Sequence, residues 1–169
     1  TINGEFYYNK PPLFNWLQIL FVELIGSNSE IAFRLPVIIS LILFCFTIYQ
    51  TQKQEGGRMV AFLSALAFLT CGRILIYDSL RGLIDITFSW VIYLMFWSIY
   101  SYGKKKKYLH LFLVSYFLAT LAFLMKGLPA LVFLGISLLV YFTYAEQFKK
   151  LFSLSHLAGF GFLALIIGS

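Results

Sequence analysis

Residues 86–125 read ITFSWVIYLMFWSIYSYGKKKKYLHLFLVSYFLATLAFLM. Two apolar runs, Ile86 to Tyr102 and Tyr108 to Met125, flank a turn of one glycine and four lysines. As helices, such runs approach the ~30 Å of a bilayer's hydrocarbon. The whole chain shares this character: 60% of residues are hydrophobic, 20% aromatic and only 12% charged. A soluble domain carries charge on about a quarter of its residues. The composition therefore predicts an all-α, polytopic transmembrane protein. Its net charge of +6 is then read by position relative to a membrane, not as a footprint for nucleic acid.

Working outward toward the amino terminus, residues 77–85 read as a polar loop carrying Asp78, Arg81 and Asp85. A span from Met59 to about Ile76 precedes it. A polar turn over residues 50–58, with Gly56 and Gly57, joins that span to an earlier one from Val37 to about Tyr49, opened by Arg34-Leu35-Pro36. Residues 26–29 form a break in which Asn28 or Ser29 suits a helix cap. Residues 11–26 form a helix that is short for a perpendicular crossing. In the other direction, Lys126-Gly127-Leu128-Pro129 ends one span and Ala130 to Tyr144 returns to Glu146-Gln147-Phe148-Lys149-Lys150. A last apolar segment begins near Leu154. The chain opens in the polar stretch Thr1 to Glu5, without Met, and stops at Ser169 inside an apolar segment. It reads as a piece of a longer protein, truncated at both ends, with no signal peptide visible.

The densest basic cluster, Lys104 to Lys107, belongs on the cytoplasmic side. Counting crossings from it, the turn with Lys53 and Arg58 and the turn with Lys149 and Lys150 fall on the same side. The outer side receives Arg34, the 77–85 loop and Lys126. Lys10 joins them if the 11–26 helix lies in the interface, and falls inside if that helix crosses. Its shortness, its amphipathic pattern and Glu23 favour the interfacial placement.

The stretch Tyr7-Tyr8-Asn9-Lys10-Pro11-Pro12-Leu13-Phe14-Asn15-Trp16 heads that helix. Prolines suit a helix's first turn and break its interior. The residue before a proline is held extended, so Lys10 stays outside the helix. A cation beside the free N–H groups of a helix start suits a phosphate; an ordinary helix start with an interfacial lysine uses the same residues. The outer side thus gathers Lys10, Arg34, Arg73, Arg81 and Lys126 with Asp78, Asp85 and several glutamates. Basic residues there run against the positive-inside pattern, and ionisable groups at membrane depth usually mark a functional path. Loop solubility and local ion pairs account for individual charges equally well. Cys45 and Cys71 lie in apolar surroundings without metal-ligand spacing and read as buried free thiols. His110 and His156 fall in or beside spans toward the cytoplasmic side and read as packing or interfacial residues.

Four segments in this order, Tyr-Tyr-Asn-Lys-Pro-Pro-Leu-Phe-Asn-Trp-Leu from Tyr7, Arg34-Leu-Pro, Leu80-Arg-Gly-Leu-Ile-Asp85 and Lys126-Gly-Leu-Pro129, resemble bacterial glycosyltransferases of the family 39/83 group. That group includes the aminoarabinose transferase of lipid A and relatives of the protein O-mannosyltransferases. The resemblance covers essentially the whole chain. It implies a GT-C fold: many transmembrane helices, a catalytic cavity on the outer face and an interfacial helix in the first outer loop, with residues 1–169 part of one catalytic domain. It also implies residence in the bacterial inner membrane, among membrane lipids. The donor would be a polyprenyl-phosphate sugar, the acceptor a lipid resembling lipid A or a protein, and nucleic acid no partner.

The same resemblance implies the roles of single residues. Lys10 contacts the donor phosphate, with Arg81 and Lys126 as further cations. Asp85 matches the acidic residue of the second outer loop and positions the acceptor, the sugar or a lysine partner such as Lys126. Asp78 is nearby and fits the motif less well. Tyr7 and Tyr8 suit a place flanking the sugar or lipid head, although tyrosine at an interface needs no such role. Breaking a bond from an anomeric carbon to phosphate releases a stable anion, so the site needs cations at that phosphate and a carboxylate for the acceptor's proton.

Two departures bear on this carry-over. The group's catalytic acidic residue lies ahead of the Lys-Pro-Pro motif, where this sequence has not begun, and Glu5 stands too close to the motif to be it. Some relatives have a metal-binding glutamate just before the motif lysine, where this chain has Asn9. No metal ligand is therefore expected from this stretch, and the resemblance leaves a divalent metal open. The competing reading is a transporter or flippase for a lipid-linked or anionic substrate. It would favour charges or Gly/Pro breaks at mid-span, whereas these charges cluster at span ends. A purely structural lipid-binding subunit leaves the Lys-Pro-Pro helix and Asp85 unexplained. No nucleotide-binding glycine loop and no 20–50-residue repeat is present, and the former fits a lipid-borne donor.

Overall fold

The computed structural model describes residues 11–26, 29–78 and 81–167, and every regular element among them is helical. The chain forms two compact units: Leu13–Trp90, and Val91 onward together with Pro11 and Pro12.

In the first unit, α1 spans Leu13–Ile25. It begins just after the two prolines and closes at Gly26, whose positive φ of 67° lets its N–H reach the Val22 carbonyl at 3.0 Å. Phe14 buries itself with Val37, Leu41 and Ile86, and Gln18 Nε2 donates to the Phe33 carbonyl at 3.4 Å. Helix α2 runs Glu30–Leu69, starting earlier than the sequence reading had it, so that Pro36 lies inside the helix and not at its head. The physical reason is a cap: Ser29 Oγ accepts from the Ala32 N–H at 3.4 Å, and Glu30 pairs with Arg34 one turn on. Pro36 removes a single donor, and Ser40 Oγ donates to its carbonyl at 2.7 Å.

Gly57 divides α2. Its φ of 82° and ψ of 178° belong to a region essentially restricted to glycine, and the chain reverses there. The rings of Phe44 and Phe68 lie 4.4 Å apart, whereas a straight helix would separate those positions by about 36 Å. The expected polar turn at Gly56-Gly57 is thus the tip of a helical hairpin. The second arm ends at Leu69 and Thr70 and passes through a short π-helical turn, Arg73–Asp78, where the sequence reading had continued the span to Ile76. Helix α3, Asp85–Lys104, lies along the first arm of α2 in the same direction. Thr87 Oγ1 donates to Ser40 Oγ at 2.9 Å and Trp90 Nε1 to Thr47 Oγ1 at 3.0 Å. Such polar pairs hold helices together where the hydrophobic effect supplies no drive.

The second unit contains the rest of α3, then α4 (Tyr108–Lys126), α5 (Pro129–Tyr144), a 3₁₀ turn at Phe148–Phe152 and α6 (Leu154–Ile167). The four-lysine turn closes with Lys106 at φ 56° and the Lys107 N–H on the Tyr102 carbonyl at 2.9 Å. Phe112 stacks on Phe142, with centroids 5.7 Å apart. Phe96 meets Phe133 at 6.2 Å, and a Cβ on Gly103 would strike Tyr141. Helices α3 and α5 therefore run side by side in one direction. Tyr116 with His156, and Phe117 with Phe162, set α4 and α6 parallel in the same way. The lysine turns before α4 and after α5 consequently share one end, where Lys150 Nζ stands 5.0 Å from the Tyr108 ring centroid. Large apolar side chains, among them Phe117, Val132, Ile136 and Val140, face outward. A 19-residue α4 is about 28 Å long, and such a surface suits hydrocarbon and not water.

Candidate active site

The end of the second unit away from its lysine turns is built around a glycine. Lys126 is the last residue of α4, an exposed cation at a helix C-terminus, where the helix dipole favours it. Gly127 follows at φ 78°, its N–H on the Phe123 carbonyl at 2.7 Å, and Pro129 starts α5. A Cβ placed on Gly127 would lie 3.9 Å from Pro11 Cγ. The first proline of the Lys-Pro-Pro motif thus stands beside the Lys-Gly-Leu-Pro turn. Lys10 and Tyr7 lie outside the described residues.

In the first unit, the end opposite the Gly57 tip collects charge. The returning chain at Gly82, φ 64°, lies against Arg34: a Cβ there would be 3.6 Å from Arg34 Cγ. Asp78 is buried, its side chain 8% exposed. Its Oδ2 stands 3.8 Å from Arg73 Nε, and its Oδ1 has no hydrogen-bond partner among the described residues. The Asp78 carbonyl accepts from the Leu83 N–H at 3.1 Å, which draws the loop back toward α3. Asp85, expected at the edge of a loop, is the first residue of α3 and half-buried. A carboxylate there complements the helix dipole.

A small cavity of about 60 Å³ brings Asp78 and Asp85 together with Phe44, Phe68, Ile74, Ile86 and Ser89. It is roomy enough for one or two water-sized groups. Arg81 is exposed on the turn beside it. Two carboxylates on one small cavity, one of them with a buried oxygen that no donor among the described residues reaches, are suited to accept hydrogen bonds from a hydroxyl. Sequence reasoning ranked Asp78 below Asp85 because the motif alone separates them; the π-helical turn is what brings the two together.

The histidines fit the packing or interfacial reading, with partners that the sequence did not indicate. His156 accepts at Nε2 from Tyr116 Oη at 2.6 Å, while its Nδ1 donates to the Leu151 carbonyl. His110 is exposed, its ring 5.9 Å from that of Tyr102. Both cysteines are free, but Cys71 is exposed and Cys45 only half-buried, because the second arm of α2 ends at Leu69 and leaves Cys71 beyond it. An apolar environment in sequence is not burial.

Residues 9–169 match the model of a family described as dolichyl-phosphate-mannose-protein mannosyltransferase. No curated protein and no solved structure matches the chain.

Proposed function

The chain belongs to the dolichyl-phosphate-mannose-protein mannosyltransferase family of GT-C membrane glycosyltransferases, which use a lipid-linked sugar, and from that footing we propose a fuller activity. The protein moves a sugar from a polyprenyl-phosphate donor to a lipid or protein acceptor at the outer face of a bacterial inner membrane. Both units belong to one catalytic domain. The bond from the anomeric carbon to the phosphate oxygen breaks, the acceptor oxygen bonds to that carbon, and its proton passes to a carboxylate. Lys10 holds the departing phosphate, with Lys126 and Arg81 adding positive charge, and Tyr7 flanks the sugar. Asp85, with Asp78 beside it, positions the acceptor hydroxyl.

The observation that carries this reading is the contact of Pro11 with Gly127. It supports a shared phosphate end, because Lys10 precedes Pro11 and Lys126 precedes Gly127 in sequence. Cations prepositioned where charge develops are worth roughly 10²–10³ in rate.

The test uses the full-length protein in membranes with labelled polyprenyl-phosphate sugars. Lys10→Ala and Asp85→Asn should each lower transfer by about that factor at unchanged expression. Asp78→Asn separates the two carboxylates. Transfer indifferent to Lys10→Ala and Asp85→Asn refutes these roles. Transfer from no donor, with the labelled lipid moved across the membrane instead, favours a transporter.

A further inference from the structure

A second hollow, in the second unit, has no part in the chemistry above. A groove of about 500 Å³, within the size range of ligand sites, opens between α4, α5, the 3₁₀ turn and α6. Its walls are Leu131, Leu138, Phe148, Phe152 and Phe160 with the Tyr116–His156 pair. That pair offers a ligand no hydrogen-bond donor. The Leu151 carbonyl can only accept, so His156 carries its proton on Nδ1, and Nε2 is occupied by the Tyr116 hydroxyl. A sugar or a peptide backbone would find almost no polar partner along these apolar walls, whereas a hydrocarbon chain needs none.

The mouth of the groove is different. The 3₁₀ turn alternates groove-lining Phe148, Leu151 and Phe152 with exposed Lys149 and Lys150. Lys150 reaches over the Tyr108 ring, and Tyr108 directly follows the exposed Lys104–Lys107 turn. Glu146 is the carboxylate on the same connection. An apolar trough with cations at one end is complementary to an anionic lipid.

The geometry points to a bound anionic phospholipid, one acyl chain in the groove and its phosphate on Lys149 and Lys150. The lysine end of the groove lies at the opposite end of α4 from the Pro11–Gly127 corner, so the phosphate contact is separate from the proposed transfer site. It rests only on the chain's place in a membrane.

Gly135 makes the test clean. It lines the groove, and a Cβ built there meets nothing within 4 Å, so Gly135→Leu starts its side chain in open space and projects it into the trough. Gly161 is equally open but does not line it, which makes Gly161→Leu the folding control. The full-length protein is reconstituted in vesicles of equimolar phosphatidylglycerol and phosphatidylcholine, extracted gently and weighed by native mass spectrometry. The wild type should retain one phosphatidylglycerol with about twenty- to thirtyfold preference, equivalent to about 2 kcal/mol for two lysines at a lipid surface. Lys149→Gln with Lys150→Gln should bring the preference near unity, and Gly135→Leu should abolish retention while Gly161→Leu keeps it. Equal retention of both lipids by the wild type overturns the proposal. So does retention that survives Gly135→Leu, loss that Gly161→Leu shares, or a dimer mass that Gly135→Leu splits, which would make a second copy the occupant.

Discussion

Gly159 on α6 is where a single methyl group should be felt most. A Cβ built there would sit 2.6 Å from Tyr116 Cδ2 and 3.2 Å from both Cε2 and Cγ. Carbon atoms prefer about 3.5–4.0 Å, so the ring has to retreat by about 1 Å. It is poorly placed to do so: Tyr116 is 5% exposed and its hydroxyl is tied to His156. Overpacking of this kind costs about 1–3 kcal/mol, and an interhelical hydrogen bond lost within a membrane about 0.6 kcal/mol more. Alanine's better helix propensity returns up to about 1 kcal/mol. Gly161→Ala, with open space at its Cβ, receives the propensity gain alone. The propensity gain cancels between the two variants, which should therefore differ by about 1.5–3.5 kcal/mol, read as a lower thermal midpoint for Gly159→Ala in detergent-solubilised full-length protein. Tyr116→Leu should relieve the crowding, so that Gly159→Ala in that background behaves like Gly161→Ala, a coupling that contacting residues show and distant ones do not. Equal midpoints for Gly159→Ala and Gly161→Ala, or no relief by Tyr116→Leu, would refute the packing of α4 on α6.

Two further changes probe the other unit by the same thermal assay. Gly57→Ala places a Cβ on a backbone at φ 82°, ψ 178° and should cost about 1–3 kcal/mol; no loss would mean that the chain reverses elsewhere. Thr87→Val keeps the side chain's shape but removes its hydrogen bond to Ser40. Ser40 still donates to the Pro36 carbonyl, so the loss should be about 0.6 kcal/mol, and a loss above about 2 kcal/mol would mean that Thr87 holds more than this pair.

The sequence by itself determined the class of protein and the order of its helices. Apolar run length, Gly/Pro punctuation and lysine clusters are local signals, and they act on the few residues that carry them. Helix α4 was expected from Tyr108 to Met125 and runs Tyr108–Lys126; α5 was expected from Ala130 to Tyr144 and runs Pro129–Tyr144. The reversal near Gly57, the cap at Ser29 and the order of charged turns along the chain were legible for the same reason. The Lys-Pro-Pro, Arg-Leu-Pro, Leu80–Asp85 and Lys-Gly-Leu-Pro segments are local signals too, and they point to the general family group.

What only the tertiary structure decided is which faces meet. Soluble helices advertise their contact face with an apolar stripe, but helices made for hydrocarbon are apolar on every side, so periodicity marks nothing. Contact is specified instead by small residues and by polar pairs whose partners are far apart in sequence. Thr87 finds Ser40 across 47 positions and Tyr116 finds His156 across 40. The burial of Asp78 beside Asp85 and the apolar groove below Lys149 and Lys150 have the same origin. Each is made by segments that no local signal connects, brought together by packing between helices.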